Sequence, residues 1–191
     1  MKIRKGIEGT GVEYTPAFFT GPEADALLKT LLKLDWHQHI YRLWGKNVPA
    51  PRHYVWMGES YVSTKAVGDV FCVPFTAEAL AIKARVEAAT GTTFNSCNVN
   101  LYKDQGQYIG WHQDGEAEGS WDYPIANVSL GSARDFQVRR GKRGEIYTVI
   151  LDHGSLVTMP AQLQHDWKHR VRKTTKPCGP RINLTFRRTV E

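Results

Sequence analysis

The chain has 191 residues, 41% of them hydrophobic and 23% charged, with no low-complexity run; that is enough to bury a core as one domain spanning 1–191 and excludes a disordered tail. No apolar run approaches the roughly 18 residues of a membrane span, and "GIEGTGVEYTPAFF" is too broken by charge and glycine for a signal peptide. The expectation is therefore a soluble, intracellular monomer with no membrane partner, cytoplasmic in a bacterium and nuclear in a eukaryote, whose +6 formal charge and pI of about 9.3 favour a polyanion.

"TGPEADALLKTLLKL", residues 20–34, has Thr20 three before Glu23, a proline in its first turn, and Leu27, Leu28, Leu31, Leu32 and Leu34 along one side. This predicts an amphipathic helix entered by a capping box. Residues 36–75 are rich in aromatics, glycine and proline but show no clean period, and read as irregular strands and loops on a rim. "TAEALAIKARVEAATG", 76–91, predicts a second helix, with Ala79, Ile82, Val86 and Ala89 at helical spacing and Gly91 to end it.

From Phe94 onward the period becomes two. The runs "NVNLY", "IANVSLG", "RDFQVRR", "IYTVIL", "SLVTM" and "RINLTFRRTV" are separated by turn signals at 103–106, 141–144, 152–154 and 177–180. They predict a mostly antiparallel sheet or barrel, covered by the two helices. The three cysteines, Cys72, Cys97 and Cys178, form no C-x-x-C pair and so define neither a disulfide framework nor a zinc motif.

"GWHQDGE" contains His112 and Asp114, which on a strand point the same way and offer an imidazole and a carboxylate to one metal. A third ligand is available in "HDWKH" from His165 or His169. Two histidines and a carboxylate on one side of a metal are diagnostic of non-haem Fe(II) oxygenases. In "RINLTFR", Arg181, Asn183, Thr185 and Arg187 share the polar face of a strand, the two arginines being roughly 20 Å apart at ~3.3 Å per residue. Side chains folding inward from both ends match a short dicarboxylate, because the guanidinium fork fits carboxylate oxygens. Asn98, Asn100 and Tyr102 share one face of "NVNLY" and add hydrogen-bonding groups for the same ligand.

The order N-x-Y, H-x-D, H, R-x-N-x-T-x-R resembles the AlkB family of Fe(II)- and 2-oxoglutarate-dependent dioxygenases, especially its small DNA-repair members. The resemblance covers 94–188, the expected catalytic core, closely and the N-terminal part loosely. It implies a double-stranded β-helix, a jelly-roll-like barrel of α+β class that is mostly β. It also implies Fe(II) ligands His112, Asp114 and His169, with His165 a neighbour, and a 2-oxoglutarate site made of Asn100, Tyr102, Arg181, Asn183 and Arg187. Glu116 matches an acidic residue that reads the exocyclic amino group of a damaged base, and Arg134 an arginine near the base pocket. Residues 36–75 then correspond to a nucleotide-recognition lid, with Tyr54, Trp56 and Tyr61 as candidates to stack on a flipped base and core packing as the alternative. The base-displacing finger of duplex-specific members has no clear counterpart; Trp44 and "KNVPAP" are the candidates.

The implied activity is oxidative demethylation of 1-methyladenine and 3-methylcytosine in DNA with Fe(II), 2-oxoglutarate and O2, yielding formaldehyde, succinate and CO2. The alternatives are the same chemistry on RNA or on a substrate other than nucleic acid, and an inactive nucleic-acid binding module. The basic clusters, Arg139, Arg140, Lys142 and Arg143 in one and Arg170, Arg172 and Lys173 in the other, are the expected phosphate contacts.

Overall fold

The computed structural model describes residues 7–59, 72–114 and 122–189. The elements, in chain order, are β1 (Glu13–Thr15), α1 (Gly21–Leu31), β2 (Ile40–Leu43), β3 (Lys46–Pro49), β4 (His53–Gly58), β5 (Cys72–Val73), α2 (Ala77–Thr90), β6 (Ser96–Tyr102), β7 (Ile109–His112), β8 (Ile125–Gly131), β9 (Arg134–Arg140), β10 (Ile146–Leu151), β11 (Ser155–Met159), α3 (Leu163–Asp166), β12 (Trp167–Val171) and β13 (Arg181–Arg187). Among the described residues these make a seven-stranded sheet in the order β1-β11-β8-β13-β6-β4-β5, a four-stranded sheet β10-β9-β12-β7, and the β2-β3 hairpin.

Strand alternation divides the core in two. One face of the larger sheet, carrying Val55, Met57, Val99, Leu101, Val128, Leu130, Ile182, Leu184 and Phe186, packs under the helices through Leu31, Ile82 and Val86. The second apolar cluster joins Ile125, Val157 and Met159 to Phe136, Val138, Val149, Leu151 and Val171 of the smaller sheet. The space between the two sheets is thus apolar toward one end, while the polar residues of β6, β8 and β13 line the rest.

Both helices form where the period placed them. At α1 the Thr20 N–H and hydroxyl donate to the Glu23 carboxylate at 2.8 Å, and at α2 the Thr76 hydroxyl accepts from Ala79 N–H at 3.2 Å before Gly91 ends the helix at φ +65°. Ala89, expected on the buried stripe of α2, is exposed in its last turn.

The expectation of irregular strands on a rim for 36–75 is corrected where the residues are described. His53–Gly58 form β4, paired antiparallel with β6 and parallel with β5, and Val55 and Met57 reach the core. Buried positions on both faces of β4 hid the period of two, since Tyr54 and Trp56 are as enclosed as the apolar pair between them.

Candidate active site

β7 and β12 run antiparallel with His112 directly opposite His169, so both imidazoles project from one face of the smaller sheet. His112 is the last residue of its strand, and the chain turns before Asp114. That turn is fixed by α3: Asp114 N–H donates to Gln164 Oε1 at 2.9 Å, and the Gln113 amide donates to the carbonyls of Gln164 and His165 at 2.8 and 3.0 Å. The carboxylate then lies 3.4 Å from His112 Nε2 and 3.3 Å from His169 Nε2. One donor atom from each of the three residues falls within 4.8 Å of the others. His165 sits exposed on α3, outside this cluster.

Burial alone would raise the Asp114 carboxyl, but the Arg187 guanidinium and the two imidazoles hold it well below the ordinary carboxylate range. Burial and the neighbouring His112 push His169 down, against the pull of Asp114. The cluster therefore presents an ionised carboxylate and a neutral buried imidazole, the protonation states in which these groups ligate a metal. Two histidines and one carboxylate converging from one side fit Fe(II) with positions left open.

The other partners of the cluster come from β13 and the strands beside it. Arg187 Nη2 donates to Asp114 Oδ1 at 2.7 Å. Thr185 and Asn183 follow along the strand, tied to Asn127 of β8 at 2.9 and 3.1 Å. At the far end Arg181 is 1% exposed and donates through Nη2 to Ser129 Oγ and Asn183 Oδ1, both at 2.8 Å, while its Nε and Nη1 have no protein partner. Burial lowers Arg181 to about 10, with the nearby Tyr102 opposing that and Arg134 adding to it, so it remains a cation at neutral pH. Two unpartnered buried guanidinium donors are costly unless an acceptor fills them, and a carboxylate is the matching acceptor. Asn100, Tyr102, Asn183 and Arg187 line a cavity that His112, Asp114 and His169 also reach.

The start of β13 is held in place by a close backbone approach. Gly131 adopts φ +93°, and a Cβ there would collide with the Pro180 carbonyl just before Arg181.

Residues 11–187 match the family model described as the 2OG-Fe(II) oxygenase superfamily. Alpha-ketoglutarate-dependent dioxygenase alkB homolog 3 of Mus musculus is 34% identical over 185 residues, covering 90% of this chain and 64% of the relative. DNA oxidative demethylase ALKBH2 of Bos taurus is 34% identical over 194 residues, covering 95% of this chain and 69% of the relative.

The chain belongs to the AlkB family of 2OG-Fe(II) oxygenases.

With that membership come Fe(II), 2-oxoglutarate and O2 as cofactor and co-substrates. This AlkB-family chain spans 62 to 64% of the length of the rodent alkB homolog 3 relatives. Its fold matches that of OsALKBH1 with a TM-score of 0.71 at 17% identity over 93% of this chain and 98% of that one. It also matches a 2OG-Fe(II) oxygenase family oxidoreductase from Burkholderia pseudomallei with a TM-score of 0.63 at 15% identity over 98% and 92%. The fold is thus the double-stranded β-helix.

The residues expected to read the base are distributed differently. Glu116 and Tyr61 lie outside the described residues. Tyr54 is 5% exposed and already stacked on His39, ring centroids 3.7 Å apart and planes within 2°. Trp56 is equally buried; its indole N–H donates to Ser96 Oγ at 2.7 Å and Arg187 lies 5.7 Å from its ring. Neither leaves an aromatic face open to solvent. Arg134, expected near the base pocket, is tied to the protein's own carbonyls. It is 3% exposed, and its terminal nitrogens donate to the carbonyls of Asp104, Gln107 and Arg172 at 3.3, 2.7 and 2.6 Å.

The expected phosphate contacts surround the smaller sheet. Lys142 and Arg143 are exposed on the β9-β10 turn, and Arg172 and Lys173 are exposed just past β12. Arg140 is engaged with Asp166 at 2.7 Å, both ends well exposed, so that pair contributes little. Arg139 and Arg170 lie against Trp111.

Sequence reasoning missed three residues. Arg52 lines the cavity and its Nε donates to Asn100 Oδ1 at 2.9 Å, but it sits in a stretch without period. Gln113 and Gln164 hold the H-x-D turn, and Gln164 is 1% exposed. Nothing in the local pattern marks them; only the contact between α3 and the end of β7 reveals the pairing.

Proposed function

We propose that this AlkB-family chain removes methyl groups oxidatively from N-alkylated nucleobases, 1-methyladenine and 3-methylcytosine in DNA. The observation that carries the reading is one cavity shared by the His112–Asp114–His169 cluster and the polar face of β13. The demethylase named among its relatives supports the nucleobase as target.

In this reading His112, Asp114 and His169 hold Fe(II), and bound Fe(II) with 2-oxoglutarate and O2 supplies the oxidation of the N-methyl carbon, with succinate, CO2 and formaldehyde as products. Arg181 takes one carboxylate of 2-oxoglutarate on its free donors, Tyr102 and Asn183 flank that end, and Arg187 with Asn100 orients the end nearer the ligand cluster. Phe136, Leu151, Val157 and Val171 form the apolar wall of the same cavity, which limits water beside the reacting carbon.

A base inside a duplex cannot reach this cavity, so the target must leave the stack, and a damaged base costs less to extrude. Glu116, two residues past Asp114, is the proposed reader of the exocyclic nitrogen, its negative charge matching the positive charge of both lesions. A second substrate form, duplex DNA, is favoured by one feature. Trp44 is 94% exposed at the tip of the β2-β3 hairpin, where Trp44 and Gly45 both have positive φ, and an aromatic so presented can wedge into a base step.

The deciding experiment measures formaldehyde released from single-stranded DNA, duplex DNA and RNA oligonucleotides carrying 1-methyladenine or 3-methylcytosine, with Fe(II) and 2-oxoglutarate supplied. Release from methylated DNA is expected. Succinate formation with no formaldehyde from any of them would move the substrate out of nucleic acid, and release from RNA alone would reassign the polymer.

A further inference from the structure

We propose that the outer face of the smaller sheet, behind the ligand cluster, is a second docking site that takes a stretch of single-stranded DNA outside the catalytic cavity. Its bases would stack on the array of rings and guanidinium planes formed by Tyr108, Trp111, Arg139 and Arg170, and Arg172 and Lys173 would hold its phosphates. This rests on the nucleic-acid reading above and adds a surface to it.

Alternation fixes the geometry. His112 and His169 face the interior opposite each other, so their neighbours Trp111 and Arg170 face outward on adjacent strands. There the Arg139 and Arg170 guanidiniums lie 4.2 and 4.3 Å from the centre of the Trp111 indole, and the Lys173 ammonium lies 4.7 Å from the centre of the Tyr108 ring. Tyr108 immediately precedes β7 and Trp111 lies within it, roughly 10 Å away; the β7-β12 pairing shifts register between His112 and Ile109, and both aromatics border a groove whose other wall is Arg170, Arg172 and Lys173.

Among the described residues no carboxylate lies within 4.0 Å of Arg139, Arg170, Arg172 or Lys173. Arg170 Nε donates to Gln137 Oε1 at 2.8 Å and Gln137 is anchored in turn to Thr148 at 3.1 Å, which holds the guanidinium over the Trp111 ring. The buried Nε of Arg139 has no partner.

The aromatics decide which polyanion fits. A basic stripe alone would suit any acidic surface, but each aromatic here is paired with a cation, the combination that tracks a single strand by stacking and backbone charge together. A strand lying here would anchor the DNA on the reverse side of the sheet that carries His112 and His169, leaving the extruded base to enter from the cavity side.

The test is binding, with no turnover involved: the full chain is titrated into a labelled 20-nucleotide oligothymidylate and into an abasic oligomer of the same length. Wild type is expected to prefer the thymidylate by about tenfold. Trp111→Ala should abolish that preference and Trp111→Phe should retain most of it. Arg172→Gln should weaken both oligomers alike and lower the salt slope by about one. Equal affinity of wild type for the two oligomers, unchanged preference in Trp111→Ala, or a Trp111→Phe variant as weak as Trp111→Ala would overturn the site. Tighter binding to heparin or to acidic vesicles than to thymidylate would overturn it in favour of another polyanion. Because the probes are unmethylated, failure to release formaldehyde would sink the demethylase reading and leave this one standing, and Trp111-independent binding by an active demethylase would do the reverse.

Discussion

Arg187 Nη2 lies 2.7 Å from Asp114 Oδ1, so the carboxylate placed to bind metal is also the partner of a cation at the end of β13. The side chains are 13% and 7% exposed. The pair joins the ligand cluster on the smaller sheet to the polar strand of the larger one, across the cavity between them. Asp114 is the carboxylate paired with Arg187 among the described residues, and a largely buried guanidinium that loses such a partner is left uncompensated, which is far more damaging than loss of an exposed pair.

His112→Ala, Asp114→Ala and His169→Ala should each abolish Fe(II)-dependent turnover of 2-oxoglutarate, while His165→Ala, outside the cluster, should be mild. Without metal the three should separate in stability. Asp114→Ala should cost about 3 kcal/mol or more by urea unfolding, since it strands Arg187, and His112→Ala much less, as its ring is only partly buried. An active His169→Ala with a dead His165→Ala would reassign the third ligand.

Gln164 should matter without touching metal. Its side chain accepts the Asp114 N–H and its backbone carbonyl accepts from Gln113, so Gln164→Ala should loosen the turn that aims Asp114. Metal affinity is expected to fall by roughly 10-fold or more, the usual scale for losing support behind a ligand, with calorimetry using Mn(II) as the readout. Wild-type affinity in Gln164→Ala would show that the turn holds itself.

Arg181→Lys keeps the charge but loses the fork and both donors now without partners. The Michaelis constant for 2-oxoglutarate should rise by roughly tenfold, with a smaller change in the constant for DNA. A shift confined to DNA would move Arg181 out of the co-substrate site.

How much of this was legible in the sequence follows from which interactions are local. The helices at 20–34 and 76–91 were readable because capping and a 3.6-residue stripe are properties of neighbouring residues. β13 was readable because Ile182, Leu184 and Phe186 meet one core while Arg181, Asn183, Thr185 and Arg187 meet another environment. β4 was not, because both of its faces are enclosed, and β12 was not, because its inward series of Trp167, His169 and Val171 is not uniformly apolar. The partners of Arg134 were not legible for a related reason: a lone arginine carries no sign that its donors meet, as here, three carbonyls from two loops. The roles of Gln113 and Gln164 depend on contact between segments some 50 residues apart, as measured by a sequence separation of 51 and 50, which no local pattern encodes.

His39 gives the last prediction. Its ring is stacked on Tyr54 and lies near Tyr41, and burial followed by the charge of Arg52 lowers its pKa from 6.5 to about 4. Above pH 6.5 the imidazole is neutral both folded and unfolded, and its contribution to stability is fully present. Between pH 6.5 and about 4 the unfolded chain takes up a proton that the folded chain refuses, so stability falls as pH falls. Below about 4 both states are protonated and the loss levels off. His53 and His169 are displaced in the same direction, so the wild-type slope is a sum, and the difference between variants isolates one residue. His39→Phe keeps an aromatic against Tyr54 and removes the titration. Urea midpoints measured from pH 7 to 4 should decline less steeply in His39→Phe than in wild type, and parallel curves would mean that the stack opens to admit the proton.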